Sequence, residues 1–394
     1  MERRTILVTG ASGFVGGALC RQLATLGSFA IRAASRDLGG ASVAGIQAVT
    51  VADLSATTDW ARALSGVDLV VHAAARVHVM KETASDSLAE FRRVNVDGTL
   101  NLARQAAAAG VRRFIFISSI KVNGESSQPG QPLRADDSPA PQDAYGVSKH
   151  EAEQGLRQLA AATGMEVVVI RPVLVYGPGV KANFHSMMRW LQRGVPLPFG
   201  AICNRRSLVS LANLVDLVVT CIDHPRAANQ TFLASDGDDV SLTQLLRALG
   251  LALGRPARLL PVPAGLLRGA VLLIGRRDLA QRLFGTLQVD IEKKPAIARL
   301  VPPLHIGTRT EHDRSIFSGC TPPMIWLIVL ATVASCLMTA VLRRYALSRS
   351  LLDIPNARSS HTLPTPRGGG LAFVVAFLLR CWAWGGAGTL LRQC

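Results

Sequence analysis

The chain has 394 residues, of which 49% are hydrophobic, 5% aromatic and 18% charged. This composition excludes a disordered or fibrous protein, and the length is sufficient for two to three domains. The 43 Lys and Arg residues outnumber the 27 Asp and Glu residues, which gives a formal net charge of +16 and favours anionic partners. Most of these cations are arginines without interleaved aromatic residues, so we expect no nucleic-acid groove.

Short apolar runs alternate with stretches of helix length over about the first 305 residues. The predicted strands cover residues 5–9, 29–34, 48–51, 68–72, 113–117 and 166–171. The predicted helices cover residues 13–26, 88–109 and 145–163. This alternation predicts an α/β fold with a doubly wound parallel sheet of the Rossmann type. From residue 183 to about 290 the pattern loosens, which indicates a smaller C-terminal lobe over the carboxyl edge of the sheet, where ligands bind in such folds.

A glycine-rich turn follows the first predicted strand directly and opens the first predicted helix. Its sequence is Thr9-Gly10-Ala11-Ser12-Gly13-Phe14-Val15-Gly16. In this setting Gly10 permits the tight turn, Gly13 lets the backbone approach a diphosphate, and Gly16 allows close helix packing. The motif predicts a dinucleotide site with the phosphates at the helix N-terminus, and Phe14 and Val15 belong to the same turn. A glycine-rich turn without a ligand is the alternative.

The ends of the next strands bear on which dinucleotide binds. An acidic residue after the second strand is typical of NAD sites, but here Arg36 stands close by and suits the 2′-phosphate of NADP. We therefore expect NAD or NADP, with a slight preference for NADP. Asp53 and Leu54 end the third strand and suit an adenine contact, and Ala73 follows the fourth strand, where a small residue leaves room for the cofactor.

Tyr145 and Lys149 lie four residues apart on a predicted helix and therefore share one face. A nearby ammonium stabilises a phenolate, which makes Tyr145 a candidate acid and base. Ser119, at the end of the fifth predicted strand, can hydrogen-bond the same substrate oxygen. A surface Tyr–Lys pair is the alternative reading of this helix.

These segments together resemble the extended short-chain dehydrogenases/reductases, in the nucleotide-sugar epimerase/dehydratase family typified by UDP-glucose 4-epimerase. The matching segments are residues 9–16, 72–75, 94–99, 117–124, 145–149 and 171–179. The resemblance implies that Ser119, Tyr145 and Lys149 are catalytic and that Tyr145 and Lys149 also border the cofactor. It also implies a UDP-sugar substrate and a homodimer, and no metal. Further residues implied at the site are Asn95 at the cofactor, and Ser119, Asn183 and Arg206 at the substrate.

The chain departs from the 4,6-dehydratases of this family, which carry Thr-Asp-Glu where it has Ser119-Ile120-Lys121. The acid and base needed to eliminate water are absent from these positions, so dehydration is disfavoured. We expect a C4 epimerase that oxidises C4 transiently in the synthesis of cell-surface polysaccharide precursors. Two alternatives remain, a 4-keto reductase of a UDP-4-keto-6-deoxy-hexosamine and a non-catalytic module of the same fold.

The end of the chain has a different character. Residues 324–342 form nineteen consecutive residues without a charge, close to the roughly 20 that span a bilayer. Residues 352–370 carry a second resemblance, to the start of a polyprenyl-phosphate sugar-1-phosphate transferase. In all, this resemblance covers about 55 residues. The arginines after the run favour a cytoplasmic C-terminal flank. A nicotinamide enzyme before the run must also be cytoplasmic, and a single membrane span cannot leave both of its flanks in the cytoplasm. We infer either a fused or frameshifted reading frame or a re-entrant hairpin.

The sequence therefore predicts three regions. Residues 1–182 form the dinucleotide-binding domain, residues 183–305 a substrate-binding lobe, and residues 306–394 a tail that resembles a membrane span. We expect a cytoplasmic catalytic domain that the tail can associate with a membrane.

Overall fold

The computed structural model describes residues 3–36, 45–77, 87–128, 130–180 and 183–291, and two short strands near the C-terminus. The chain divides into two compact units, Met1–Glu311 and His312–Cys394. In the second unit the described residues form one antiparallel pair, β11 (Leu352–Asp353) with β12 (Thr365–Pro366). The fold described below is that of the first unit.

The first unit contains ten strands and ten α-helices among its described residues. The strands are β1 (Thr5–Thr9), β2 (Ala30–Ser35), β3 (Ile46–Thr50), β4 (Leu69–His72), β5 (Arg113–Ile117), β6 (Glu166–Pro172), β7 (Leu174–Tyr176), β8 (Arg206–Ser210), β9 (Thr231–Ala234) and β10 (Asp239–Val240). The helices are α1 (Phe14–Leu26), α2 (Ala61–Leu64), α3 (Ser87–Arg92), α4 (Thr99–Ala108), α5 (Ala144–Thr163), α6 (Asn183–Gln192), α7 (Leu211–Asp223), α8 (Leu242–Ala252), α9 (Ala264–Leu273) and α10 (Arg277–Phe284).

Seven strands form a parallel sheet in the order β3-β2-β1-β4-β5-β6-β9. Successive residues of β1 point to opposite faces, so Ile6 packs in the core that contains α1 and α7, and Leu7 in the core that contains α4 and α5. Helices thus cover both faces, and the prediction of a doubly wound Rossmann-type α/β sheet is confirmed. All seven carboxyl ends meet at one edge.

The helix predicted over residues 88–109 is interrupted. Between α3 and α4 the backbone forms a π-helix over Arg93–Gly98. A π-turn adds one residue to the helical repeat, which a search for 3.6-residue periodicity does not detect, and such turns are frequent at functional sites. The C-cap of α1 is Gly27 in the left-handed conformation, as expected for a helix that ends at Leu26.

The described part of the predicted lobe, residues 183–291, does not form a separate lobe throughout its length. It contributes α7 to one face of the large sheet and β9 to its edge. The remaining elements surround a small sheet in which β8 pairs with β7 in parallel and with β10 antiparallel. The backbone of residues 286–290 bonds to Arg205, directly before β8, and to Ser207 within β8. It also bonds to Leu133 in the loop after β5, which ties this smaller sheet to the large one.

Among the described residues, no helix has both the length and the apolar character that crossing a bilayer requires. The span predicted at residues 324–342 lies outside the described residues.

Candidate functional site

The glycine turn lies where β1 meets α1 at the carboxyl edge of the large sheet. Gly10 has φ +67°, and a Cβ there would lie 2.8 Å from the backbone nitrogen of Ala74. A Cβ on Gly16 would lie 2.3 Å from the carbonyl oxygen of Gly10, so helix and turn pack too closely for any side chain. The N-cap Gly13 is exposed and makes no side-chain cap, and the first turn of α1 carries no acidic residue. The turn therefore fits a dinucleotide diphosphate, which needs close backbone approach and a free positive helix end.

Phe14 and Val15 follow in the first turn of α1, where both are partly buried. Ala73, at the end of β4, lies directly opposite the turn, since a Cβ on Gly10 would also lie 2.9 Å from its carbonyl carbon. Small residues on both sides leave the mouth of the turn open to a ligand. The structure thus brings these predicted cofactor residues together.

His72 connects the turn to the neighbouring strands. Its Nδ1 lies 2.7 Å from Thr9 Oγ1 and its Nε2 lies 2.9 Å from Thr99 Oγ1. Burial and, to a smaller extent, the nearby Lys149 lower the pKa of His72 to about 3. The imidazole is therefore neutral at physiological pH and stacks on Phe116, with ring centroids 5.9 Å apart.

Ser119, Tyr145 and Lys149 meet where β5 ends beside the first turns of α5. Burial raises the pKa of the Tyr145 phenol well above its usual value, the Asp143 carboxylate raises it further, and a hydrogen bond with Ser119 acts in the opposite direction. The Lys149 ammonium lies 6.0 Å from the centre of the Tyr145 ring and 4.4 Å from that of Phe116. Its Nζ donates a 2.8 Å hydrogen bond to the carbonyl oxygen of Ile117, which is the last residue of β5. These contacts place a cation under the phenol.

Burial also determines the charge of Lys149. The side chain is only 2% exposed, which lowers its pKa to about 7, while the Glu153 carboxylate one turn further along α5 opposes that shift. Near neutral pH the amine therefore exchanges between its charged and neutral forms. A group with this property, close to a phenol, is suited to proton transfer.

A buried ion pair behind these residues was not anticipated from the sequence. Glu153, completely buried, accepts hydrogen bonds from Arg171 Nε at 2.9 Å, Arg171 Nη2 at 2.6 Å and Ser118 Oγ at 2.6 Å. Burial raises the pKa of Glu153. The hydrogen bonds and positive charge of Arg171, together with the hydrogen bond from Ser118, outweigh burial and hold the pKa of Glu153 below its usual value. Arg171 also donates to Asn123 Oδ1 at 2.9 Å. The pair links β5, β6 and α5 directly behind Ser119 and Lys149.

A second ion pair joins the Ser119 loop to the start of α5. The Lys121 ammonium bonds to Glu125 at 2.9 Å and, more closely, to Asp143. Asp143 is the N-cap of α5 and accepts a 2.7 Å hydrogen bond from the backbone N–H of Gly146. The backbone N–H of Lys121 donates to Ser119 Oγ at 3.2 Å. In the sequence, Lys121 occupies the position at which the dehydratases carry a carboxylate. In the structure its ammonium is held between Glu125 and Asp143.

The remaining predicted cofactor residues differ in their surroundings. Asp53 is exposed and accepts a 2.8 Å bond from Thr58, Leu54 packs against Gly98, and Arg36 is exposed at the end of β2. Asn95 lies in the π-helix and is 1% exposed, and its amide bonds to Ser148 Oγ at 3.0 Å and to the backbone of Arg76. Its polar atoms thus bond to the protein itself, and its role at the cofactor stays a prediction.

The predicted substrate residues lie around the small sheet. Arg206 is the first residue of β8, is half-buried and donates to the carbonyl oxygen of Arg282 at 2.6 Å. Burial lowers the pKa of Arg206, and the Glu125 carboxylate opposes this effect, which places Arg206 near the loop that holds Lys121. Asn183 is the first residue of α6, and its side chain lies outside the described residues. Within the described part of the chain, no three His, Cys, Asp or Glu residues group as metal ligands would.

Comparison with known proteins assigns the family. Residues 6–234 match the model of the NAD dependent epimerase/dehydratase family, which is more than half of the chain. The chain belongs to this family. The predicted resemblance is thereby confirmed, whereas the resemblance of the C-terminal residues to a transferase stays a prediction.

Two of the relatives are 4-epimerases by name. A UDP-glucose 4-epimerase of Vibrio cholerae is 50% identical over 301 residues, which cover 76% of this chain and 91% of that protein. An N-acetyl-alpha-D-glucosaminyl-diphospho-ditrans,octacis-undecaprenol 4-epimerase of Escherichia coli O157:H7 is 28% identical, over 67% of this chain and 77% of that protein.

Solved structures show the same fold. The UDP-glucuronic acid 4-epimerase of Bacillus cereus, in complex with NAD, superposes with a TM-score of 0.61 at 18% identity, over 77% of this chain and 94% of that one. The UDP-glucose 4-epimerase of Thermotoga maritima with UDP-glucose gives a TM-score of 0.58 at 22% identity, over 74% of this chain and 91% of that one. At these identities the likeness establishes the fold.

Proposed function

We propose that this chain is a nicotinamide-dependent UDP-hexose 4-epimerase. The observation that carries the proposal is the meeting of Ser119, Tyr145 and Lys149 beside a glycine turn that fits a dinucleotide. The chain is 50% identical with a UDP-glucose 4-epimerase over 91% of that protein, which supports C4 of a UDP-hexose as the reacting centre. The cell-surface polysaccharide context remains part of the proposal.

In the proposed reaction Tyr145 holds and moves the proton of the sugar 4-hydroxyl. Removal of that proton requires the phenolate, which the Lys149 cation favours and which burial and Asp143 disfavour. Ser119 donates a hydrogen bond to the same oxygen and to the phenol in turn. A nicotinamide held at the glycine turn would supply the acceptor for the C4 hydride and the donor that restores it. Tyr145 would return the proton to the C4 oxygen, and the configuration at C4 would be inverted where the 4-keto sugar presents its opposite face.

Lys121 supports epimerisation over water elimination. Elimination needs an additional acid and base near the sugar. Ile120 has no titratable group, and the Lys121 amine is bonded to both Glu125 and Asp143. The residues after Ser119 therefore brace the site and are not positioned as free proton donors or acceptors.

Further assignments are proposed for the regions beside the site. Apart from α7 and β9, residues 183–305 form the substrate lobe, in which Asn183 and Arg206 bind the UDP. The cofactor residues would be those of the glycine turn, Ala73, Asn95, Asp53 and Leu54. Family resemblance further suggests a homodimer. The tail from residue 306 would take no part in the chemistry and could associate the enzyme with a membrane.

Arg36 would make NADP the preferred cofactor. It is exposed at the carboxyl end of β2, where a guanidinium can pair with a 2′-phosphate. Arg36→Ala should then weaken NADP binding by about 1.5 to 3 kcal/mol and leave NAD binding unchanged. Arg21→Ala, an exposed arginine on α1, is the control. Equal losses for both dinucleotides, measured by calorimetry, would favour an NAD enzyme.

The reaction is tested with the purified full-length chain and UDP-glucose, and then with UDP-N-acetylglucosamine. Proton NMR should show interconversion of the C4 epimers, and mass spectrometry should show no change of mass. The Tyr145→Phe variant is the control, and a chain that ends after Glu311 tests whether the tail is needed. Consumption of NADPH or NADH only with a UDP-4-keto sugar, and a gain of two hydrogens, would identify the 4-keto reductase instead.

A further inference from the structure

Helix α9 is apolar but only partly covered by the rest of the described fold. None of its ten residues is buried, whereas α7 buries seven. Leu273 is 91% exposed, and Ile274, directly after the helix, is 75% exposed. Large aliphatic side chains are rarely this exposed in series unless a partner or a membrane covers them.

The two most exposed leucines of the helix lie on one side of it. Leu266 and Leu273 are seven positions apart and therefore share a face, and both are more than half exposed. Gly269 and Ala270 lie between them on the outer surface, so this surface carries no polar side chain to compete for water. A helix on a soluble domain ordinarily has the opposite arrangement, with its apolar face toward the core.

Positive charge follows this apolar surface. Arg276 and Arg277 come directly after its C-terminal end, and Arg268 lies on another side of the helix, two positions after Leu266; all three are exposed. No acidic residue occurs from residue 264 to residue 277, and Asp278 is the next residue. The ion pairs found among the described side chains include none of these three arginines.

We propose that α9 and the turn after it dock the enzyme on an anionic lipid bilayer. The α9 patch consists of Leu266, Leu273, Ile274, Arg276 and Arg277. An amphipathic element of leucines and arginines lies in the plane of a bilayer surface, with its apolar side in the acyl boundary and its cations among the headgroups. The association is independent of the proposed reaction and would bring the substrate lobe close to the membrane.

Charge favours an anionic bilayer over two other partners that could cover the α9 patch, a second copy of the chain and the apolar run at residues 324–342. A two-fold contact between copies of the chain would bring the arginines of one patch against those of the other, which is repulsive. The apolar run at residues 324–342 is uncharged and is followed by Arg343 and Arg344, so it offers no complementary charge. An anionic surface satisfies both the leucines and the arginines.

Hydrogen–deuterium exchange of the full-length chain locates the contact. Exchange is compared without vesicles, with phosphatidylcholine vesicles, and with vesicles that also contain phosphatidylglycerol. We expect amide exchange of residues 264–277 to slow at least threefold only with the anionic vesicles. Segment-resolved exchange separates this effect from any insertion of residues 324–342, which a sedimentation assay would not.

Matched variants test the chemistry of the patch. The double variant Leu273→Asp and Ile274→Asp should abolish the protection, whereas Leu26→Asp, at an exposed leucine on α1, should preserve it. Arg276→Glu with Arg277→Glu should weaken vesicle binding by this segment at least about 25-fold, since each basic residue at such a surface contributes a factor of about five. Arg21→Glu with Arg62→Glu changes the net charge equally at exposed positions elsewhere and should have little effect.

Several results would overturn the proposal. Protection confined to residues 324–342 would assign membrane binding to the tail alone. Slow exchange at α9 without vesicles, unchanged on adding them, would indicate that another segment of the chain covers the patch. Protection that rises with protein concentration instead of anionic lipid would indicate a second copy.

Discussion

Around α5 three charged side chains, Lys149, Glu153 and Arg171, are buried, whereas the predicted substrate residue Arg206 at the small sheet is half-buried. Lys149 and Arg171 are 2% exposed and Glu153 is completely buried. Arg206, at the small sheet, makes one hydrogen bond to a backbone carbonyl oxygen. The buried network holds the groups that carry out proton transfer in a single geometry, as reactions require. The half-exposed arginine has room to adjust to a ligand.

If this comparison is correct, substitutions near α5 should change turnover or folding, and those near the small sheet should change binding. The largest effect is expected for Tyr145→Phe, which removes the proton-carrying hydroxyl and should lower kcat by about 10²- to 10⁴-fold. Folding and dinucleotide binding should remain close to those of the wild type. Tyr176→Phe is the matched control, because the Tyr176 hydroxyl bonds to Asp236 in the small sheet. Equal losses in both variants would contradict the role of Tyr145.

The second largest effect concerns the buried ion pair. Glu153→Gln removes the carboxylate and leaves the Arg171 guanidinium buried without its counter-ion, so the free energy of unfolding should fall by about 3 to 5 kcal/mol. Glu151→Gln, on the same helix, removes a pair with Arg92 that is partly exposed and should cost at most about 1 kcal/mol. Urea denaturation measures both. Similar costs would show that the network behind Ser119 does not brace the site.

The third prediction concerns the small sheet. Arg206→Met should raise KM for the UDP-hexose about 10- to 100-fold, which corresponds to a hydrogen bond to a charged group, and should leave kcat within about threefold. The neighbouring Arg205 is exposed, so Arg205→Met is the matched control and should change neither constant. A fall in kcat at unchanged KM would place Arg206 with the α5 group and remove the distinction between the two regions.

The sequence predicts the backbone of the site better than its support. The glycine turn and the Tyr145–Lys149 helix are local patterns, so their residues suffice to place them. Glu153 and Arg171 are 18 positions apart, and they meet only because α5 packs beside β6. Strand β9 was missed because it has four residues within a region of weak alternation. Lys121 and Asp143 likewise meet through the packing of a loop on a helix end.

The smallest predicted effect is the pH dependence that Lys149 gives to stability. Its pKa is about 7 in the folded chain, against an ordinary value of 10.5. Between these values the unfolded chain binds the proton and the folded chain does not, so the stability contribution of Lys149 rises with pH. Below pH 7 both states are protonated, and the contribution is constant at its least favourable value.

Subtracting the unfolding free energy of Lys149→Met from that of the wild type isolates this contribution. The difference should be flat from pH 5.5 to 6.5 and then rise by at most about 1.4 kcal/mol per pH unit up to pH 9. In a Glu153→Gln background the rise should begin at lower pH, because the Glu153 carboxylate raises the pKa of Lys149. A flat difference across the whole range would show that the amine is hydrated in the folded chain. The region around α5 would then be as open as the small sheet.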